Sequence, residues 1–309
     1  MTAARMTAAW MTATRMTRTR TILLIVLSLL AGPAVLHGMA APRAAAIEIL
    51  KVDEGHFGPT PGGVIFLLAL GNDARPGETQ SRADAIHLIG VNPGAGRATI
   101  LDIPRDTYTN IPGYGVDKIN SAHAYGGPQL MAAAVSALVG VDIPYVITTG
   151  FVGLTAMVNE LGGVDVDVPT AMSDSNSGAF FSAGVQHFGG DEALAFSRNR
   201  GISGGDFTRT HNQGRLILAA LAKLRNEGTS PAKILHSLTV LLRHTTLDGL
   251  SLADLYRLGR LGLSIDPANV TNITMPGVAG QAGSASVVFP TAAAPGVFAD
   301  LADDGLVAG

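Results

Sequence analysis

The stretch VIFLLALGNDARPGETQSRADAIHLIGVNPGAGRATILDIPRD, residues 64–106, decides how this chain folds. It contains three apolar runs of strand length, 64–70, 84–91 and 97–103, each bounded by turn-forming residues. The link PGAG between the second and third is of hairpin length. Strand, loop, strand, tight turn, strand predicts an antiparallel meander. A meander sorts its polar residues by end. Asp73 falls just past the end of the first strand, Arg82 and Asp84 at the start of the second, and Arg105 with Asp106 just past the end of the third. One rim therefore collects Asp73, Arg82, Asp84 and Arg105. Rims at strand ends are where α/β proteins place ligands. Taken singly, each residue reads as an ordinary loop ion pair; as a set between such apolar strands they do not.

Beyond the meander the pattern changes. PQLMAAAVSALV (128–139) is Ala-rich and helical, PYVITTG is a strand, and FVGLTAMVNEL is a helix closed by Gly162 and Gly163. VDVDVP alternates as a strand, GDEALAFSR reads as a short helix, and 206–226 as a long one. Helices over about 231–243 and 251–262 precede a last strand, NVTNITMP. This mixture predicts an α/β fold, a three-layer α/β/α sandwich around one mixed central sheet, with a single domain over 47–280. The Ala/Gly/Pro-rich residues 281–309 read as a low-complexity tail lying loosely on the surface.

The first 46 residues stand apart. MTAARMTAAWMTATRMTRTR carries four arginines and no acid; TILLIVLSLLAGPAVL follows as an apolar run, then small residues. Basic, apolar, small is the order of an export signal. The 16-residue run, interrupted by Pro33, is short for a membrane span, so a cleaved signal and a retained N-terminal membrane anchor stay open. Either way the residues from 47 onward are expected to be extracytoplasmic. Met1, Met6, Met11 and Met16 recur every five residues, and translation starts at Met1 or Met16.

A second polar cluster interrupts a chain in which only 15% of residues are charged: FSRNRGISGGDFTRTHNQG, 196–214. On a helix beginning at Asp206, residues Asp206, Arg209 and Gln213 share one stripe, and that stripe continues as Ile217, Ala220 and Leu224. The apolar half of the stripe faces the core, so the polar half faces inward too, at a helix N-terminus, which suits an anion. Asp206 also reads as a plain N-cap. Arg198 and Arg200, two apart, point the same way in an extended segment. His211 points off the stripe, is expected to be exposed, and is given no role.

Guanidinium forks match phosphate oxygens. Four or five of them near two or three carboxylates point to a pyrophosphate with a divalent ion, Mg²⁺ or Mn²⁺, held by hard oxygen ligands. Other chemistries are excluded. There is no cysteine, hence no disulfide and no thiolate nucleophile. No P-loop, dinucleotide fingerprint or serine nucleophile elbow is present. A net charge of −3 without a basic run argues against nucleic acid.

The blocks LLALGNDARPGE, SRADAIHLIGV, ATILDIPRDTY, DKINSAHAYGG, VNELGGVDVDVP and ALAFSRNRGISGGDFTRTHNQ, in this order over about 64–226, resemble the LytR-CpsA-Psr family. The resemblance implies a phosphotransferase that moves a glycopolymer from a polyprenyl pyrophosphate carrier to a peptidoglycan hydroxyl, forming a phosphodiester. It also implies an apolar pocket for the lipid tail. Two segments hint at such a pocket, PQLMAAAVSALVGV and FVGLTAMVNEL, whose small residues and multiple apolar faces equally suit a tight core. By resemblance Asp73 and Asp84 hold the metal. Arg82, Arg105, Lys118, Arg198, Arg200, Arg209 and Gln213 hold the pyrophosphate. Asp206 orders the arginines or activates the acceptor. Asn72 departs from the family's common Ser. Teichoic acid, capsule and arabinogalactan all remain open as the polymer. Hydrolysis of the same pyrophosphate, or lipid binding without catalysis, also accounts for the arginines.

Overall fold

Alternation along the meander strands sets the architecture, because each strand is covered on both faces. The structure, a computed structural model, describes residues 47–52, 63–72, 81–242 and 245–307. The expected signal or anchor over 1–46 lies outside them, as does Asp73. Among the described residues no helix is long and apolar enough to cross a membrane.

In chain order the elements are β1 (Ile47–Lys51), β2 (Ile65–Asn72), β3 (Ala83–Asn92), β4 (Arg97–Asp102), the hairpin β5 (Tyr108–Ile111) and β6 (Gly115–Lys118), and α1 (Ser121–Val139). Next come β7 (Tyr145–Thr149), α2 (Phe151–Glu160), β8 (Val164–Val168), the hairpin β9 (Met172–Asp174) and β10 (Ala179–Phe181), β11 (Gly184–Phe188), α3 (Gly190–Arg198) and α4 (Asp206–Glu227). The chain ends with α5 (Pro231–Leu242), β12 (Thr245–Asp248), α6 (Leu252–Ser264), β13 (Val270–Thr274), the hairpin β14 (Gly277–Ala282) and β15 (Ala285–Pro290), and α7 (Ala294–Asp304).

The main sheet has the order β12-β1-β7-β2-β3-β4-β13. The meander is as expected: β2 and β3 pair antiparallel, as do β3 and β4. Parallel neighbours β7 and β13 flank it, so the sheet is mixed. β8 pairs with β11 outside this sheet.

On one face Phe66, Leu68, Ile86, Leu88 and Leu101 bury against Met131 and Val135 of α1 and Phe298 and Leu301 of α7. On the other face α2, α4, α5 and α6 arch over the sheet and leave a cavity. The helix expected at 128–139 is the second part of α1. Gly126 and Gly127 interrupt the helix, and Pro128, with its fixed φ, starts the continuing segment. Its residues Met131, Ala132, Ala134 and Val135 belong to the solid core. Of the two segments thought to border a pocket, only FVGLTAMVNEL does so.

The expectation for residues 281–309 is corrected. β15 and α7 are part of the core: Val287, Val288, Ala294, Phe298 and Leu301 are all buried. In α7, Ala294, Phe298 and Leu301 recur at helical spacing and form one apolar face. The small residues permit close approach rather than looseness. Gly90 of β3 lies against the Gly305 carbonyl, where a β-carbon would stand 2.6 Å from the oxygen. Val307 N donates to Thr99 Oγ1 at 3.0 Å, and Asn92 Nδ2 to the Asp304 carbonyl at 2.9 Å.

Candidate active site

The rim predicted from the meander and the start of α4 meet. α4 runs across the sheet, and Gly214 lets it approach β13, since a β-carbon there would come within 2.5 Å of the Asn272 amide. Its first turn brings Asp206 and Arg209 over the ends of β3 and β4. Arg105 is ion-paired with Asp84. Arg209 Nη2 lies 2.7 Å from Asp206 Oδ1, and Arg200 Nε lies 3.6 Å from the same oxygen. Asp206 therefore holds two arginines together.

Arg209 is only 4% exposed. Burial holds its guanidinium below the ordinary arginine range; Asp206 opposes this, and the nearby Arg200 and Arg105 add to it. Burial also works against charge on Arg105, but Asp84, with Asp206 and Asp106, outweighs it and holds that group above its ordinary value. Several polar atoms here are buried without a hydrogen-bond partner: Arg105 Nε, Arg209 Nε, Asp206 Oδ2 and Gln213 Oε1. Unmet donors on crowded guanidiniums form a site ready for an anion, because leaving such groups unpaired costs about 1–3 kcal/mol each.

The rim opens into a cavity of about 1250 Å³. Asp84, Arg105, Arg198, Arg200, Arg209 and Gln213 line its mouth. Behind them the walls are apolar, with Leu67, Ala69 and Ile89 on the sheet and Met157, Ile217 and Leu238 on the helices. Gln213 Nε2 donates to the Ser197 carbonyl at 3.0 Å, tying α4 to α3. The stripe Ile217, Ala220 and Leu224 follows Arg209 and Gln213 along the cavity wall, as the helical projection requires.

Arg198 and Arg200 do face the same side, by a different route. Arg198 ends α3, Asn199 is extended at φ −61 and ψ 128, and Arg200 follows. Arg198 lies over the Phe151 ring at 5.2 Å, a cation–π contact that fixes a long side chain. Arg82 and Lys118 do not line the cavity. Arg82 is exposed and acts on Asp117, while Lys118 Nζ lies 3.0 Å from Asp106 Oδ1, next to Arg105. Asp73 lies outside the described residues. Among those residues no group of three or more His, Asp or Glu is arranged to hold a metal.

Two features escaped the sequence reading. Asp174 lines the mouth and accepts from the Arg200 backbone N–H at 3.4 Å; hydrogen bonds, first from Ser177, hold its carboxyl below the usual range. The spacing Asp174-Ser-Asn-Ser-Gly178 reads only as a turn, and nothing in it points to the arginines. His211 is not exposed without contacts. Its Nδ1 lies 3.3 Å from Oδ2 of the fully buried Asp102, whose Oδ1 is 2.7 Å from His87 Nδ1. The projection correctly puts His211 off the Arg209 stripe, but β4 lies beneath that side of the helix.

Residues 48–295 match the LytR_cpsA_psr family. The chain belongs to that family. Among its LytR_cpsA_psr relatives, the polyisoprenyl-teichoic acid–peptidoglycan teichoic acid transferase TagT of Bacillus subtilis is 36% identical over 176 residues, 54% of each chain. The probable cell wall biosynthesis protein LcpB of Corynebacterium glutamicum is 36% identical over 148 residues, 48% of this chain and 36% of LcpB. The chain spans about half the length of the curated relatives it matches. In structure it is similar to the LytR_cpsA_psr protein YwtF (TagT) with bound octaprenyl pyrophosphate lipid. The TM-score is 0.62 at 25% identity, covering 87% of this chain and 100% of that one. B. subtilis TagV, at 24% identity and a TM-score of 0.69, shares the fold over 79% of this chain and 97% of its own.

Proposed function

We propose that this protein transfers a glycopolymer from a polyprenyl pyrophosphate carrier to a hydroxyl of peptidoglycan, as an extracytoplasmic phosphotransferase. One observation carries the reading: a rim of crowded, under-bonded guanidiniums opens directly onto a long apolar cavity, the shape and chemistry of a diphosphate head on an isoprenoid tail. The TagT relative's name, and a TagT-like structure holding octaprenyl pyrophosphate, support it. The basic-then-apolar residues 5–36 support export and membrane attachment.

In this mechanism the cavity takes the tail and fixes the diphosphate at the rim. Arg105, Arg198, Arg200 and Arg209 neutralise the charge that grows on the lipid-side phosphate as it leaves. Such preorganised donors act more strongly in the transition state than in the ground state. Asp206 keeps Arg200 and Arg209 aimed, and Gln213 joins them from the next turn. The acceptor hydroxyl attacks the sugar-side phosphorus in line with the departing lipid phosphate. A new P–O bond joins polymer to wall, the pyrophosphate P–O bond breaks, and polyprenyl phosphate remains in the cavity. Asp84, a hard oxygen donor at the mouth, fits a Mg²⁺ site of one or two carboxylates completed by substrate phosphate, with Asp73 as its proposed partner. When bound, that ion supplies further charge neutralisation on the phosphates.

The test incubates the purified chain with a polyprenyl-pyrophosphoryl glycan and a peptidoglycan acceptor, with and without Mg²⁺. Wall-linked polymer plus polyprenyl phosphate, lost in EDTA, is the expected outcome. Free polymer phosphate would instead assign water as the acceptor. Tight lipid binding with no turnover would leave only a binder.

A further inference from the structure

The β5–β6 hairpin ends in an aromatic surface that the catalytic rim does not use. Tyr114, at its tip, is 57% exposed and Tyr125, at the start of α1, 45%. Their rings stack at 4.8 Å with an interplanar angle of 13°. The Tyr125 hydroxyl donates to Asp117 Oδ2 at 2.7 Å, and the Tyr114 hydroxyl to the Tyr125 carbonyl at 3.4 Å. Gly113 and Gly115, at φ 80 and 82, bracket Tyr114 in a turn that other residues resist. Val116 beside it is also 57% exposed. Two large rings are thus stacked face to face and partly exposed to water, with a carboxylate hydrogen-bonded at the Tyr125 edge. An exposed aromatic surface rimmed by polar groups marks a binding site.

The other end of the same hairpin is the catalytic rim. Lys118 closes β6 and pairs with Asp106, which neighbours Arg105, and Arg82 acts on Asp117 and Tyr125 from the start of β3. From Lys118 to Tyr114 an extended strand covers about 13 Å. Neither Lys118, Arg82 nor the tyrosines line the cavity, so this surface lies outside it. In-line displacement requires the attacking hydroxyl to enter opposite the leaving group. With the lipid phosphate leaving toward the cavity, the proposed reaction brings the acceptor from outside the cavity, where the hairpin stands next to Arg105.

We propose that Tyr114 and Tyr125 form a saccharide platform that holds the acceptor glycan strand, a few sugars away from the hydroxyl that reacts. Pyranose rings present an apolar face to the aromatic plane and hydroxyls to Asp117, which accepts from them. The assignment to the acceptor rests on the proposed transfer reaction; the platform's affinity for sugar does not.

Titration of the full chain with a β-1,4-linked N-acetylglucosamine hexamer tests the platform by calorimetry, beside Tyr114→Ala and Tyr114→Trp. The wild type is expected to bind the hexamer, Tyr114→Ala to lose about tenfold in affinity, and Tyr114→Trp to retain it. Affinity for undecaprenyl pyrophosphate should be equal in all three, which also reports correct folding. In the transfer assay Tyr114→Ala should raise the acceptor KM by a similar factor and leave kcat at saturating acceptor in place. No hexamer binding by the wild type, or equal binding by Tyr114→Ala, would sink the proposal. So would tyrosine-dependent binding of a lipid-free donor polymer, such as poly(glycerol phosphate), in place of the hexamer. If the hexamer binds through Tyr114 but no wall-linked product forms, the transfer reaction fails and the platform stands. If transfer proceeds with an unchanged acceptor KM, the reverse holds.

Discussion

The two faces of the central sheet are made from the same strands and almost the same residue types, yet one is solid and the other hollow. Along β2, Phe66 and Leu68 are 3% and 0% exposed in the solid core, while Leu67 and Ala69, one step away, border the cavity. Along β3, Ile86 and Leu88 pack inward while Ala85, His87 and Ile89 face the hollow. What differs is the cover. α1 and α7 lie directly on the first face with Met131, Ala134, Phe298 and Leu301 filling the gaps. On the second, helices α2, α4, α5 and α6 line a cavity over Leu67, Ala69 and Ile89 instead of filling it. Hydrophobicity alone makes a core; the arrangement of the covering helices decides whether it closes.

The largest effect that tests this contrast is Leu68→Ala. It should cost about 2–5 kcal/mol of stability, measured by denaturant unfolding, because the packed face cannot collapse around the gap. Next is Arg200→Ala at the mouth of the hollow face. It should lower kcat by the equivalent of about 2–4 kcal/mol, with an unchanged melting temperature, because its side chain is half exposed. A fall in both would show that the arginines support the fold rather than the reaction. Ala69→Leu, which narrows the cavity, should weaken binding of a long-chain polyprenyl pyrophosphate about tenfold relative to geranyl pyrophosphate. Equal loss for both chains would place the tail elsewhere. The smallest effect is expected for Leu67→Ala, under about 1 kcal/mol of stability, since its side chain already borders open space. If Leu67→Ala and Leu68→Ala cost the same, the distinction between the faces fails.

The sequence showed most clearly what is periodic and local. The meander is legible because three unbroken apolar runs leave no alternative to strands. The Asp206, Arg209, Gln213 stripe is legible because 3.6-residue periodicity carries it straight into Ile217 and Leu224. Pairings between distant segments are not. β1 and β12 are short, and each becomes a strand through distant partners, β1 between β7 and β12 and β12 beside β1. Arg82 and Lys118 were assigned to the phosphates from rim position and family resemblance; that neither lines the cavity, and that Lys118 pairs with Asp106, depends on side-chain direction, which sequence does not carry. His211 and Asp102, 109 residues apart, meet because α4 crosses β4. Residues 281–309 misled because small side chains suit both loose loops and close contact, and only the partner surface separates the two.

The Gly90–Gly305 contact bears on the order in which the protein assembles. Residues 215 positions apart seal one edge of the meander, and loop closure over such a span is among the slowest steps available to a chain. The meander is synthesised well before α7, and the part of its face that α7 covers stays bare until residues 294–304 have emerged. A nascent chain of this kind emerges vulnerable and becomes protease-resistant only once α7 has docked.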